Sequence, residues 1–304
     1  MKVSIGNKTK MHVFASVTIL LWSVNYVLTK IGVGYYAPES FAFLRYFVAS
    51  CALLAYAAIK KMRPPPLRDV PVFIFGGAIG FAVYIYVFNT GSRLVTASVA
   101  SFINSSSPVI TAMLARIVLK EKIGAIGWVS VALAFIGVGV ITLTTGGEAG
   151  INAGALWICA AAVLISSYNI FQRKILLRYK PLEVTAYCIV AGGIMLTVFA
   201  PKAVPQFLSA PPLQIFTVFA TGIFTAAAAY LLWAYALSLA DKTSEVTNYM
   251  FLIPFITTFL GYVMIGEPPS VYAFIGGAIV LSGVFFLNFI KPGEKNKKTI
   301  PADK

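Results

Sequence analysis

Apolar residues fill this chain in ten runs of about 20 residues each, at about 12–34, 39–59, 71–90, 96–118, 124–144, 153–173, 182–200, 213–238, 244–265 and 270–290. A helix rising 1.5 Å per residue needs about 20 residues to cross the hydrocarbon layer of a bilayer. Helix breakers lie between the runs: Pro38, Pro64-Pro65-Pro66, Gly146-Gly147, Pro181, Pro211-Pro212 and Pro268-Pro269. The pattern predicts ten membrane-spanning helices. The first run is itself long enough to span, so it reads as a retained helix and not as a cleaved leader.

Composition agrees. The chain is 59% hydrophobic and 11% charged, against about 25% charged in a soluble domain. A net charge of +14 would suit a nucleic acid if it formed a patch. Instead the charges fall in short clusters between apolar runs, so no nucleic-acid partner is expected. Sorted by alternate gaps, 20 of the 24 Lys and Arg fall on one side of the membrane and three on the other. Arg45 remains, within the second span. Cytoplasmic loops hold the excess of positive charge. Both termini are therefore expected in the cytoplasm, on a multi-pass protein of the cytoplasmic membrane whose partner is the lipid bilayer. The expected layout is a cytoplasmic tail 1–11, a first helical half 12–144, an external linker 145–152, a second half 153–290 and a basic cytoplasmic tail 291–304.

The second half echoes the first. Shifted by 146 residues, Pro108 meets Pro254, Ile110-Thr111 meets Ile256-Thr257, Glu121 meets Glu267, and Gly137-Val138 meets Gly283-Val284. Earlier helices match more weakly, Pro38 with Pro181, Ser23 with Ser166 and Lys30 with Arg173. A repeat of five helices is odd in number, so the second copy must enter the membrane from the opposite face. Inverted repeats of this kind recur in transporters, with the substrate site between the halves.

The stretch "LLWSVNYVLTK", the opening "PESFAFLRY" of the second helix, and a Pro and Glu repeated in the fourth and ninth helices together resemble the drug/metabolite transporter superfamily, EamA type, over nearly the whole chain. The resemblance implies ten helices as two EamA repeats, with helices one to four and six to nine around a central cavity and five and ten packed outside it. It also implies export or exchange of small metabolites, often amino acids or drugs, and an arginine kept in one copy only, Cys188 standing opposite Arg45.

Polar groups inside a membrane need a partner or a wet cavity. Ser101, Asn104, Ser105 and Pro108 share one helical face. Pro108 lacks an amide donor and is expected to free the Asn104 carbonyl on that face, bending the helix. Pro254 is its counterpart, and both are candidate flex points. Two readings stay open for this face: a cavity lining, or glue between helices. Further candidates for substrate binding are Trp22 and Asn25 in the first helix, Tyr84 and Asn89 in the third, Tyr168 and Asn169 in the sixth, Tyr230 and Trp233 in the eighth, and Asn248 and Tyr249 in the ninth. An aromatic wall suits flat or partly apolar solutes. Arg45 is either a receptor for a carboxylate or a tie to backbone carbonyls. Glu245 reads as a solvated first-turn residue. The glycines of the fifth and tenth helices, such as Gly137 and Gly276, read as close-packing positions.

Cys51, Cys159 and Cys188 lie singly inside apolar runs and His12 stands alone. Metal sites need clustered ligands, so no metal or cofactor is expected. HExxH, GxSxG and P-loop motifs are missing, as are paired intramembrane carboxylates. The expected function is secondary transport of a small, amino-acid-like or aromatic solute, with a coupling proton compatible with it. The alternatives are a passive facilitator, or an enzyme or receptor using the same cavity. Substrate, direction, coupling ion and oligomeric state are not written in the sequence.

Overall fold

A computed structural model describes residues 5–118, 124–144, 152–239, 246 and 248–289. Among them every regular element is helical. In chain order they are α1 (Ile5–Tyr35), α2 (Pro38–Ile59), α3 (Leu67–Leu94), α4 (Ala97–Asn104), α5 (Ser107–Val118), α6 (Ala125–Thr144), α7 (Ala153–Ile175), α8 (Leu182–Leu208), α9 (Pro212–Ala236), α10 (Tyr249–Ile265) and α11 (Val271–Phe289). Seven of the helices are long and apolar enough to cross a membrane, and α10 and α11 are shorter apolar ones. Large apolar side chains such as Phe47, Leu54, Ile136 and Val263 are more than half exposed. A protein surface of that kind suits lipid, not water.

Local chemistry sets the ends. Thr96 caps α4 by accepting from the Val99 amide at 3.2 Å, and Asn152 caps α7 through Ala155 at 3.1 Å. Gly266 ends α10 with φ +67°, a left-handed turn that glycine adopts without strain. Helix α1 starts at Ile5 and takes in Lys8 and Lys10, so the expected tail 1–11 is helical from residue 5.

Two departures from regular α-helix shape the centre. Both α3 and α9 contain a π-helical segment, Ala78–Ala82 and Ala220–Ala228, at corresponding places in the two halves. Such insertions rotate the following turns and often mark functional sites. The other departure is the serine-rich stretch. The expected single bent helix 96–118 is instead two helices, broken at Ser105-Ser106. Ser101, Ser105, Ser106 and Ser107 each donate back to the carbonyl three residues earlier, at 2.6–2.8 Å. The Asn104 carbonyl, expected to be free, thus accepts from the Ser107 hydroxyl at 2.7 Å. Pro108 sits in the first turn of α5, where a missing amide costs nothing. Pro254 likewise follows a 3₁₀ turn, Asn248–Leu252, at the start of an α-helical run.

The helices pair with opposite polarity. In α1 against α9, Met11 packs with Ala236 while Asn25 meets Thr225. In α2 against α8, Glu39 pairs with Lys202 and Ser50 reaches the Ile189 carbonyl. In α3 against α7, Gly80 lies on Tyr168 and Gly91 on Ile158. In α6 against α11, a Cβ on Gly137 would stand 2.5 Å from the Gly276 carbonyl oxygen. A Cβ on Gly283 would stand 2.7 Å from that of Ser130. The repeat offset of 146 residues turns one of these two contacts into the other.

Candidate functional site

The polar and aromatic side chains of α1, α2, α3, α7 and α9 meet midway along the bundle. Asn25 Oδ1 accepts from the Thr225 hydroxyl at 2.7 Å, and that hydroxyl oxygen also accepts from Arg45 Nη2 at 3.4 Å. Thr225 belongs to the π segment of α9. Arg45 is 4% exposed, and its Nε and Nη1 have no partner. Its guanidinium lies 5.5 Å from the Tyr46 ring centre. On the neighbouring face of α1, Tyr26 accepts from Asn104 Nδ2 at 2.9 Å.

Aromatic rings complete the wall. Trp22 packs on Tyr230 and Trp233 at 5.5 and 5.0 Å between centres. Phe81 contacts Tyr46, Tyr168 and Tyr230 edge-on at 5.0–5.8 Å. Tyr84 stacks on Phe88, which meets Tyr26. Edge and offset geometries of this kind match the ring quadrupoles. Tyr168 is 2% exposed, its ring fits against Gly80, and the Cys188 thiol lies beside its hydroxyl. In this conformation the central side chains pack on one another.

The sequence-derived candidates divide accordingly. Trp22, Asn25, Arg45, Tyr84, Asn104, Tyr168, Tyr230 and Trp233 converge on this centre. Ser101 and Ser105 stand beside it with their protons committed to their own helix. Asn89 lies nearer one end and ties α3 to α2 by donating to the Pro38 carbonyl at 3.0 Å. Asn169 is exposed and reaches Thr111 at 3.5 Å. Tyr249 bonds His12 at 2.7 Å, at the end of the bundle where α1 begins. The Asn248 side chain, Glu121 and Glu245 lie outside the described residues. Sequence reasoning passed over Tyr26, Tyr46, Phe81 and Thr225. The two tyrosines adjoin chosen residues, but Phe81 and Thr225 carry no sequence signal above their apolar surroundings.

At the end of the bundle where α1 finishes, polar groups tie the helices to one another. Lys30 Nζ donates to the carbonyls of Ser92, Arg93 and Val95 at 2.6–3.2 Å, the natural cation position at the close of α3. Glu267 Oε2 accepts from the Ala97 amide at 2.8 Å, on the first turn of α4. Ser98 and Thr258 share a hydrogen bond of 2.7 Å. Burial pushes the Glu267 carboxyl above its ordinary pKa, against the smaller pull of the Ala97 amide and the Lys30 charge. Among the described residues no group of three or more His, Cys, Asp or Glu could hold a metal ion.

The profile of the EamA-like transporter family matches residues 9–143 and again 152–289, two copies that take in nearly all of this architecture. The chain belongs to the EamA-like transporter family. It is a multi-pass membrane transporter and not an enzyme. Similar proteins include "Uncharacterized transporter YdfC" of Bacillus subtilis (strain 168), 30% identical over 93% of this chain and 92% of that protein. A second is "Probable terminal-alkyne amino-acid exporter" of Streptantibioticus cattleyicolor, 29% identical over 93% of this chain and 95% of its own. A crystal structure 20% identical in sequence superposes with a TM-score of 0.61, covering 93% of this chain and 97% of that one, and carries the same fold.

Proposed function

We propose that this EamA protein is a secondary transporter of a small metabolite or drug, amino-acid-like or aromatic, and that it works as an exporter by alternating access. The observation that carries the reading is the buried meeting of the two copies at mid-bundle: Asn25 and Arg45 of the first on Thr225 of the second, inside rings from both. Polar groups at that depth are expensive unless they serve a pathway. A centre filled by its own side chains suits a carrier that opens to one side at a time better than a standing pore.

The ten-span, inverted-repeat arrangement belongs to the same proposal. Helices α2 and α8 occupy equivalent places in the two copies, as do α6 and α11, and each pair runs antiparallel. That polarity supports copies of opposite orientation. The excess of Lys and Arg supports cytoplasmic termini in the cytoplasmic membrane. An amino-acid-like solute is supported by the printed name of the Streptantibioticus relative.

Sealed vesicles holding the purified protein supply the test. A labelled aromatic amino acid should accumulate against its gradient when a proton gradient is imposed, which a passive facilitator cannot achieve. Asn104→Ala or Tyr168→Ala should alter the half-saturating concentration. If both variants transport as the unaltered protein does, the central site is wrong. Reporter tags on the two ends of the chain should appear on the same face; opposite faces would remove the even span count.

A further inference from the structure

Among the described residues Arg45 is the one charged side chain in this centre, and two of its three guanidinium nitrogens have no hydrogen-bond partner. It stands seven residues into α2, about 10 Å down the helix from its start. At 4% exposure the head group does not reach solvent, so snorkelling does not relieve the charge. Nη2 makes one long bond to Thr225. Nε and Nη1, which between them carry three of the five guanidinium donors, have no acceptor. Nor does Arg45 form an ion pair among the described residues: Glu39, the carboxylate of its own helix, is engaged by Lys202. A structural arginine tie would show backbone carbonyls on these nitrogens, as Lys30 shows on three. Arg45 shows none. A buried charge without a counter-charge is a strongly unfavourable arrangement that persists only where something else requires it.

Resting on the transporter reading above, we infer that Arg45 is the receptor for a carboxylate carried by the transported solute, and that the substrate class is a carboxylic acid bearing a flat apolar or aromatic group. Thr225 holds one side of the guanidinium and is itself held by Asn25, which leaves the other donors free for two carboxylate oxygens. The aromatic part has its own wall in Tyr46, Tyr84 and Tyr230, all within electrostatic reach of Arg45. Cationic drugs are disfavoured, because no carboxylate among the described residues stands in this centre to offset Arg45. The solute supplies the counter-charge.

The test uses the full-length protein in detergent and the quenching of its tryptophan fluorescence, since Trp22 and Trp233 flank the site. The probes are phenylpropionate, phenylalanine and phenylalaninamide: all share the ring, the first two carry the carboxylate, and the last two share the amino group and differ in the carboxylate alone. The unaltered protein should favour the two carboxylates over the amide by on the order of 10- to 100-fold. Arg45→Gln should collapse that preference, and Arg45→Lys should keep part of it. Without ligand, Arg45→Gln should melt no lower than the unaltered protein, because it removes a bare charge; a structural tie would make it melt lower. The inference is overturned if Arg45→Gln keeps the carboxylate preference within twofold, if the unaltered protein binds the amide as well as the acids, if it binds neither acid, or if Arg45→Gln melts clearly lower. Should vesicles still concentrate the amide in those cases, the transporter reading stands while the carboxylate assignment falls. If no solute is concentrated at all, the transporter reading itself fails.

Discussion

Replacing Gly80 with alanine perturbs the site through a single contact whose size can be worked out. A Cβ at Gly80 would lie 2.4 Å from Tyr168 Cδ2, 2.6 Å from Cγ and 2.9 Å from Cε2. Carbon atoms at rest stand about 3.5–4.0 Å apart, so the ring has to retreat by about 1 Å. The methyl meets the base of the ring and not its tip, so a change of rotamer alone does not clear it. Phe81 lies 5.0 Å away on one side of Tyr168 and Phe171 6.3 Å on another, which blocks the retreat. Overpacking of this sort costs about 1–3 kcal/mol. Gly80→Ala should therefore lower the thermal midpoint in detergent and, by moving Tyr168, weaken solute binding. Tyr168→Ala removes the obstructing atoms at the cost of a cavity. In a double-mutant cycle the pair should be less damaging than the two single changes added together, by about 1–2 kcal/mol. Gly80→Ala within about 0.5 kcal/mol of the unaltered protein, or strict additivity with Tyr168→Ala, would refute this packing of Tyr168 on Gly80.

Three more expectations follow from other contacts. Gly137→Leu drives side-chain atoms into the Gly276 carbonyl, part of a backbone that cannot step aside, so it should unfold at distinctly lower temperature; Gly139→Leu, with nothing within 4 Å of its Cβ, should not. Tyr26→Phe and Asn104→Leu each break the same 2.9 Å bond, and each should cost about 0.6–2 kcal/mol in a membrane setting, the double variant little more than the worse single one. Glu267 has a raised pKa in the folded protein, so its contribution to stability is full below the unfolded value of about 4.3 and is lost as pH rises through the folded value. Melting followed upward from about pH 4 should show that loss, and Glu267→Gln should flatten it.

Much of the fold could be read from the chain because bilayer physics writes it coarsely. A span needs length and oil, and most helices in the described residues begin or end near a proline or glycine already visible as punctuation; the break between α4 and α5 is the exception. Family membership was legible for a related reason: Pro108 and Pro254, with Glu121 and Glu267 behind them, are hard to match by accident. The centre was only half legible. Helices that are apolar on most sides give little warning of which face turns inward. That rotation is set here by the π segments of α3 and α9, and no periodicity announces them. Thr225 consequently looked like one small residue among alanines. The serines of 101–107 misled in the opposite direction. Their hydroxyls can turn either to a cavity or back to their own carbonyls, and the break after Asn104 supplies carbonyls in need of donors.

The scaffold and the lining obey different symmetries, and the difference bears on what is bound. Glycine contacts, π segments and the two proline-led helix starts recur in both copies at matching positions. Side chains at the centre do not. Arg45 has Cys188 as its counterpart and Asn104 has Met250, and the order Asn25-Tyr26 is reversed as Tyr168-Asn169. Reversal moves each side chain by about 100° around its helix, enough to send Asn25 to Thr225 and Tyr168 to Phe81 while Asn169 turns out toward Thr111. Under the proposed alternating access, two matching halves would let the protein tilt either way. A symmetric lining would pull such a protein toward a symmetric ligand. One cation set among rings instead fits the proposed solute, with its charged end and its oily end, in a single orientation.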